Sequence, residues 1–165
     1  MNTESFSRSR HIAASADQIF ALLSNPARHR ETEPDDWVRD AIDTEPITEV
    51  GQIFGMNMYA EGAGGAYVIH NRVTVLEPGR SIGWEPGQYN DAGELECGGW
   101  RWRYDVADAA DGGAEVTLHY DWSRVPEPVR EYFGGMPIFG PEFLDKSLET
   151  LDRTISGVQE GVAAR

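Results

Sequence analysis

The sequence predicts an α+β fold, a curved antiparallel sheet gripping one long C-terminal helix, with two short helices after the first strand. Three observations carry this. Between residues 48 and 122 apolar residues recur in alternation, the period of half-buried strands. Turns rich in glycine and proline cut that stretch into strands. Beyond Gly140 the period changes: Phe143, Leu144, Ser147, Leu148, Leu151, Ile155 and Val158 recur at steps of three and four, one apolar stripe along a helix. A sheet must bury one face, and only this helix is long enough to cover it.

The first strand runs over Phe6 to Ile12. Arg8 and Arg10 share the parity of Phe6 and Ile12, and an unpaired charge inside is costly, so either this strand lies at an exposed edge or one arginine meets a ligand anion. Ser15 and Gln18 have capping-box spacing before Ile19, Phe20, Leu22 and Leu23, the stripe of a first helix. Asn25-Pro26 stops it and opens a second short helix, with proline where a missing N–H does no harm. The charged run Arg28 to Asp36 is expected at the surface.

A strand over Gly51 to Tyr59 places Phe54, Met56 and Met58 on one face. Gly62-Ala63-Gly64-Gly65 has the glycine content of a phosphate loop, but Tyr67 stands where the last glycine would be and a strand follows, so a hairpin turn is expected. Tyr67, Ile69, Asn71, Val73 and Val75 share one face of the next strand, which Pro78-Gly79 ends. Ser81 to Glu85 is a short strand with Ile82 and Trp84 facing one way, and Gly87 to Gly99 reads as a polar loop. Trp100, Trp102, Tyr104 and Val106 then alternate with polar residues, and after the turn Asp111-Gly112-Gly113 so do Val116, Leu118, Tyr120 and Trp122. Val125 to Met136 is irregular, with room for a short helix between its prolines and glycines. The terminal helix starts at Gly140-Pro141, and Glu149 and Arg153 on its polar face stand four apart.

At 165 residues the chain forms one domain, residues 1–165. A net charge of −14 repels nucleic-acid phosphates and anionic lipid, which leaves both as poor partners. Cys97 is alone, so an intrachain disulfide and a cysteine-based zinc site are excluded. Residues 1–10 hold no apolar run of signal-peptide length and no segment approaches a membrane span, which predicts a cytoplasmic protein. Oligomeric state is open, a homodimer included.

The order of elements, together with Ala14-Ser15-Ala16-Asp17-Gln18-Ile19-Phe20, Val50-Gly51 before Phe54, Glu77-Pro78-Gly79-Arg80, Trp102-Arg103-Tyr104 and Gly112-Gly113-Ala114-Glu115-Val116-Thr117, resembles the polyketide cyclase/dehydrase branch of the START-related helix-grip (SRPBCC) superfamily. The resemblance extends from about Phe6 to Ile155. It implies a deep apolar cavity between sheet and terminal helix. It does not imply one activity, because members include cyclases, aromatases and carriers of lipids or hormones.

The residues expected to line that cavity are Phe54, Met56, Met58, Tyr67, Asn71, Trp84, Trp102, Tyr104, Tyr120, Trp122, Phe143 and Ser147. Asn71 is a buried amide that needs a partner, either Tyr104 or backbone, or an oxygen of a ligand. The two methionines serve equally as adaptable wall or core filler. His11, His29, His70 and His119 have no metal-ligand spacing, and by parity His70 and His119 face outward. There is no nucleophile elbow, and no metal or cofactor is expected. Three functions follow: binding of a hydrophobic, aromatic or polycyclic small molecule; cyclisation or dehydration of a poly-carbonyl substrate, polarised by Tyr or Asn; or an interaction module whose cavity is vestigial. A cavity filled by Trp84, Trp100 and Trp102 favours the last.

Overall fold

The computed structural model describes residues 4–163, with side chains as far as residue 157. Eight strands form one open antiparallel sheet in the order β1-β8-β7-β5-β4-β3-β2, with β6 paired to β5. They are β1 Ser5–Ile12, β2 Val38–Ala41, β3 Ile53–Ala60, β4 Gly65–Glu77, β5 Ser81–Tyr89, β6 Leu95–Cys97, β7 Arg101–Asp108 and β8 Ala114–Asp121. The helices are α1 Ala16–Leu23, α2 Glu127–Tyr132 and α3 Glu142–Ala163. No helix among the described residues is long and apolar enough to cross a membrane.

The local signals act as the sequence predicts. Ser15 caps α1 by a reciprocal capping box with Gln18. Asn25 caps a 3-10 helix, Pro26–Glu31, by accepting from the Ala27 N–H at 3.2 Å. β7 and β8 pair with Trp102 opposite Tyr120 and Tyr104 opposite Leu118 across the Gly112 turn. Leu144, Ser147, Leu148, Leu151 and Ile155 of α3 are buried against the sheet; Val158, the next residue of the stripe, lies outside the residues with described side chains.

Four expectations need correction. β5 does not end at Glu85 but continues to Tyr89 and turns back through β6, so part of the expected loop is a hairpin with Gly87 opposite Cys97. A short β2, absent from the sequence reading, pairs with β3 through Val38 and Met58. An irregularity between Val73 and Val75 shifts the β4 register, and Leu76, not Val75, packs on the core. The charged run Arg28 to Asp36 is only partly at the surface: His29 and Thr32 are buried and Glu33 reaches inward.

β1 is an edge strand, and its arginines need no ligand anion. Arg8 pairs with Asp145 at 3.3 Å and Arg10 with Asp152 at 2.7 Å, both on α3. These partly exposed pairs fix where the helix crosses the sheet more than they stabilise it.

Candidate functional site

The polar centre of the interior is assembled from three elements. The Thr32 hydroxyl donates to the His29 carbonyl at 2.8 Å and closes the 3-10 helix. The chain then reverses through two successive left-handed residues, Asp35 (φ 62°) and Asp36 (φ 55°), a conformation aspartate tolerates better than most side chains. This reversal aims both Glu33 and Trp37 at the space between sheet and α3. Ser147 Oγ of α3 donates to Glu33 Oε2 at 2.7 Å, and Tyr104 Oη of β7 donates to Glu33 Oε1 at 3.3 Å. Tyr104 is 2% exposed and Ser147 wholly buried.

Apolar rings enclose this cluster. On one side His29 stacks on Trp84 with centroids 5.0 Å apart and meets Phe54 edge-on at 5.4 Å. On the other, Phe139 stacks on Phe143 at 4.3 Å and on Trp102 at 5.9 Å, while Trp37 meets Phe143 at 5.6 Å and Trp102 at 6.1 Å. The Trp37 indole N–H donates to the Tyr67 hydroxyl at 2.7 Å. Burial pushes the Glu33 carboxyl up to about 7, against the pull of its Ser147 and Tyr104 hydrogen bonds. Burial, with the Glu33 charge beside it, also holds the Tyr104 phenol well above its ordinary value. Burial lowers His29 to about 4, although its ring N–H donates to the Leu23 carbonyl at 2.7 Å. Near neutrality the imidazole is therefore uncharged, and Glu33 is poised between acid and base.

Among the sequence-predicted residues, Tyr104 and Ser147 meet at Glu33. Phe54, Trp84, Trp102, Phe143 and Tyr67 belong to the surrounding rings. Met56, Met58, Tyr120 and Trp122 are buried in the core, Tyr120 against Trp102 at 4.5 Å and Trp122 against Phe6 at 4.8 Å. Asn71 is buried opposite Phe54 and Pro86, away from any bond to Tyr104. Glu33, His29, Trp37 and Phe139 were not foreseen as site residues; the turn-forming Pro34-Asp35-Asp36 before an isolated Trp37 is the signal that points to them.

The outer face of the sheet carries polar networks. His119 lies between Ser7 Oγ and Asp105 Oδ2, each at 2.7 Å, and Ser81 donates to Asp105 at 2.6 Å. Burial raises the Asp105 carboxyl, but Ser81, His119 and Arg103 more than reverse this and leave it below its ordinary value. An open depression of about 710 Å³ lies beside this network, lined by Ser81, Arg103, Asp105 and Thr117. His70 also faces outward and packs edge-on against Tyr89 at 4.7 Å.

No known family model matches the chain. It is 31% identical over 116 residues to the uncharacterized protein Rv0088 of Mycobacterium tuberculosis, a match covering 70% of this chain and 46% of that protein. The chain thus spans about half the length of the curated relatives it matches. Protein NE0264 of Nitrosomonas europaea superposes with a TM-score of 0.71 at 12% identity over 97% of this chain and 99% of its own. The Aha1 dimer from Colwellia psychrerythraea gives a TM-score of 0.58 at 13% identity, covering 93% and 96%. At such identities the likeness is one of architecture, and the architecture is the helix-grip fold: a curved, unclosed antiparallel sheet around a C-terminal helix.

Proposed function

We propose that the interior between sheet and α3 binds a ring-containing, mainly apolar small molecule. The observation that carries this reading is the Glu33–Ser147–Tyr104 cluster, a half-buried carboxylic acid bonded to two buried hydroxyls, with Tyr104 packed against Trp84. A carboxyl in such surroundings costs stability, and a core that only packs has no need of it. Aromatic side chains occupy the wedge, which by itself favours the interaction-module reading; the desolvated carboxyl weighs against that. Phe139 sits on the irregular stretch between α2 and α3, so its displacement would give a ligand access between Trp102 and Phe143. The dimeric Colwellia protein brings a homodimer into the same reading.

A second reading is favoured by the Glu33 value of about 7, suited to general acid–base catalysis at neutral pH. With Tyr104 polarising a carbonyl, Glu33 would move a proton at the adjacent carbon, as cyclisation or dehydration of a poly-carbonyl substrate requires. Conversion of substrate separates catalysis from carriage.

The test is a panel of aromatic polyketides, flavonoids, sterols and fatty acids, read by tryptophan fluorescence and melting temperature. Ring-containing compounds are expected to change both, because Trp37, Trp84 and Trp102 surround the cluster. A panel that moves neither signal removes both carrier and cyclase readings.

A further inference from the structure

Among the described residues, four buried side-chain atoms lack a hydrogen-bond partner, and two of them, the Tyr120 hydroxyl and the Trp100 indole N–H, lie together. Tyr120 is 1% exposed. Orphaned donors of this kind are rare in folded proteins, and two together are rarer still. The two groups are neighbours, and the indole N–H tempers the rise that burial imposes on the phenol, but their mutual geometry does not amount to a hydrogen bond.

The placement of these groups is built into the backbone. Trp100 immediately precedes β7, and Tyr120 pairs directly with Trp102 across to β8. A Cβ at Gly98 would lie 2.6 Å from the Trp100 ring, and one at Gly99 would collide with the Arg124 carbonyl, so both glycines are needed to seat the indole. Phe133 covers the Trp100 ring edge-on at 5.7 Å, and Phe139 covers Tyr120 at 4.7 Å. These rings come from the same irregular stretch whose movement would admit a ligand.

We infer that Tyr120 Oη and Trp100 Nε1 form an acceptor-binding subsite of the interior, taking a neutral carbonyl oxygen of the ligand. This rests on the binding reading proposed above and names the chemistry of one end of the ligand. A carbonyl oxygen with two lone pairs satisfies both donors at once and brings no donor of its own that would need a further partner. No cationic side chain is bonded to either group among the described residues, so a neutral carbonyl fits better than a carboxylate. The ligand class is therefore a ring system with a carbonyl at the Trp100 end and a hydroxyl toward Glu33.

The experiment compares 7-hydroxyflavanone with 7-hydroxyflavan, which differ only by the ring carbonyl, on wild type, Tyr120→Phe and Trp100→Phe. Wild type is expected to prefer the flavanone, and each variant to lose about threefold to tenfold of that preference, its flavanone affinity falling more than its flavan affinity. The Trp100 indole N–H resonance should move with flavanone and stay with flavan. Equal weakening toward both compounds, or no carbonyl preference in wild type, overturns the subsite and leaves the binding reading standing. Binding of neither compound overturns both.

Discussion

A carboxyl that titrates near 7 makes stability depend on pH in the direction opposite to that of an ion-paired acid. Below its ordinary value of 4.5 Glu33 is protonated in both states; between 4.5 and about 7 the unfolded chain ionises and the folded chain resists. Stability contributed by this group therefore falls as pH rises through that window, by up to about 3 kcal/mol. His29 acts in reverse, since its folded value of about 4 lies below the ordinary 6.5, and its contribution is lost as pH falls between them. The two slopes oppose each other over much of the same range, so the wild-type profile conceals both. The difference between wild type and Glu33→Gln isolates one: the variant should gain about 1–3 kcal/mol near pH 8 and nothing near pH 4, read by urea denaturation. A difference that does not vary with pH contradicts a carboxyl whose desolvation outweighs its two hydrogen bonds. Glu33 was not legible in the sequence because it stands in a run of charges that, as a run, reads as solvated. What turns it inward is the reversal at Asp35 and Asp36, a backbone conformation no hydrophobic period encodes. Tyr104 and Ser147 were legible because strand and helix periods fix their faces.

At the scale of elements, α3 is the piece on which the interior depends. Leu144, Leu148 and Leu151 are each at most 1% exposed, and Ser147 lies among them with its hydroxyl on Glu33. Leu148→Asp should cost at least about 3 kcal/mol, because it buries a charge with no partner against the sheet. A denaturation midpoint close to that of wild type would remove the helix from the core. The strength of this helix's stripe, the Ser15 capping box and the matched alternation of β7 and β8 made those elements readable. β2 was unreadable because it is four residues long and owes its existence to its pairing with β3. The β5–β6 hairpin hid behind Pro86, Gly87 and Gly93, which locally suggest a loop; tertiary pairing of Gly87 with both His70 and Cys97 overrides them. A period-of-two reading of β4 likewise fails past Val73, where the bulge hands the inward position to Leu76.

The whole molecule is an open sheet with two very different faces. Its outer face is bound by charged and hydroxyl networks around Glu85 and around Asp105, the latter beside the open depression. Its inner face is aromatic, closed by α3 and by Phe139, with polar groups at two places: Glu33 at Tyr104 of β7, and the unpaired donors of Tyr120 and Trp100. The overall charge of −14 is carried mainly by the exterior and does not describe the aromatic inner face. The central claim is that binding occurs on the inner face. The measurement that tests it most directly is backbone and indole chemical-shift mapping with a ring-containing compound that raises the melting temperature. The account predicts that the shifts gather at Trp102, Tyr104, Tyr120, Phe139 and Ser147 and weaken in Glu33→Gln. Shifts confined to Ser81, Arg103, Asp105 and Thr117 on the outer face, with the inner residues unmoved, would contradict it.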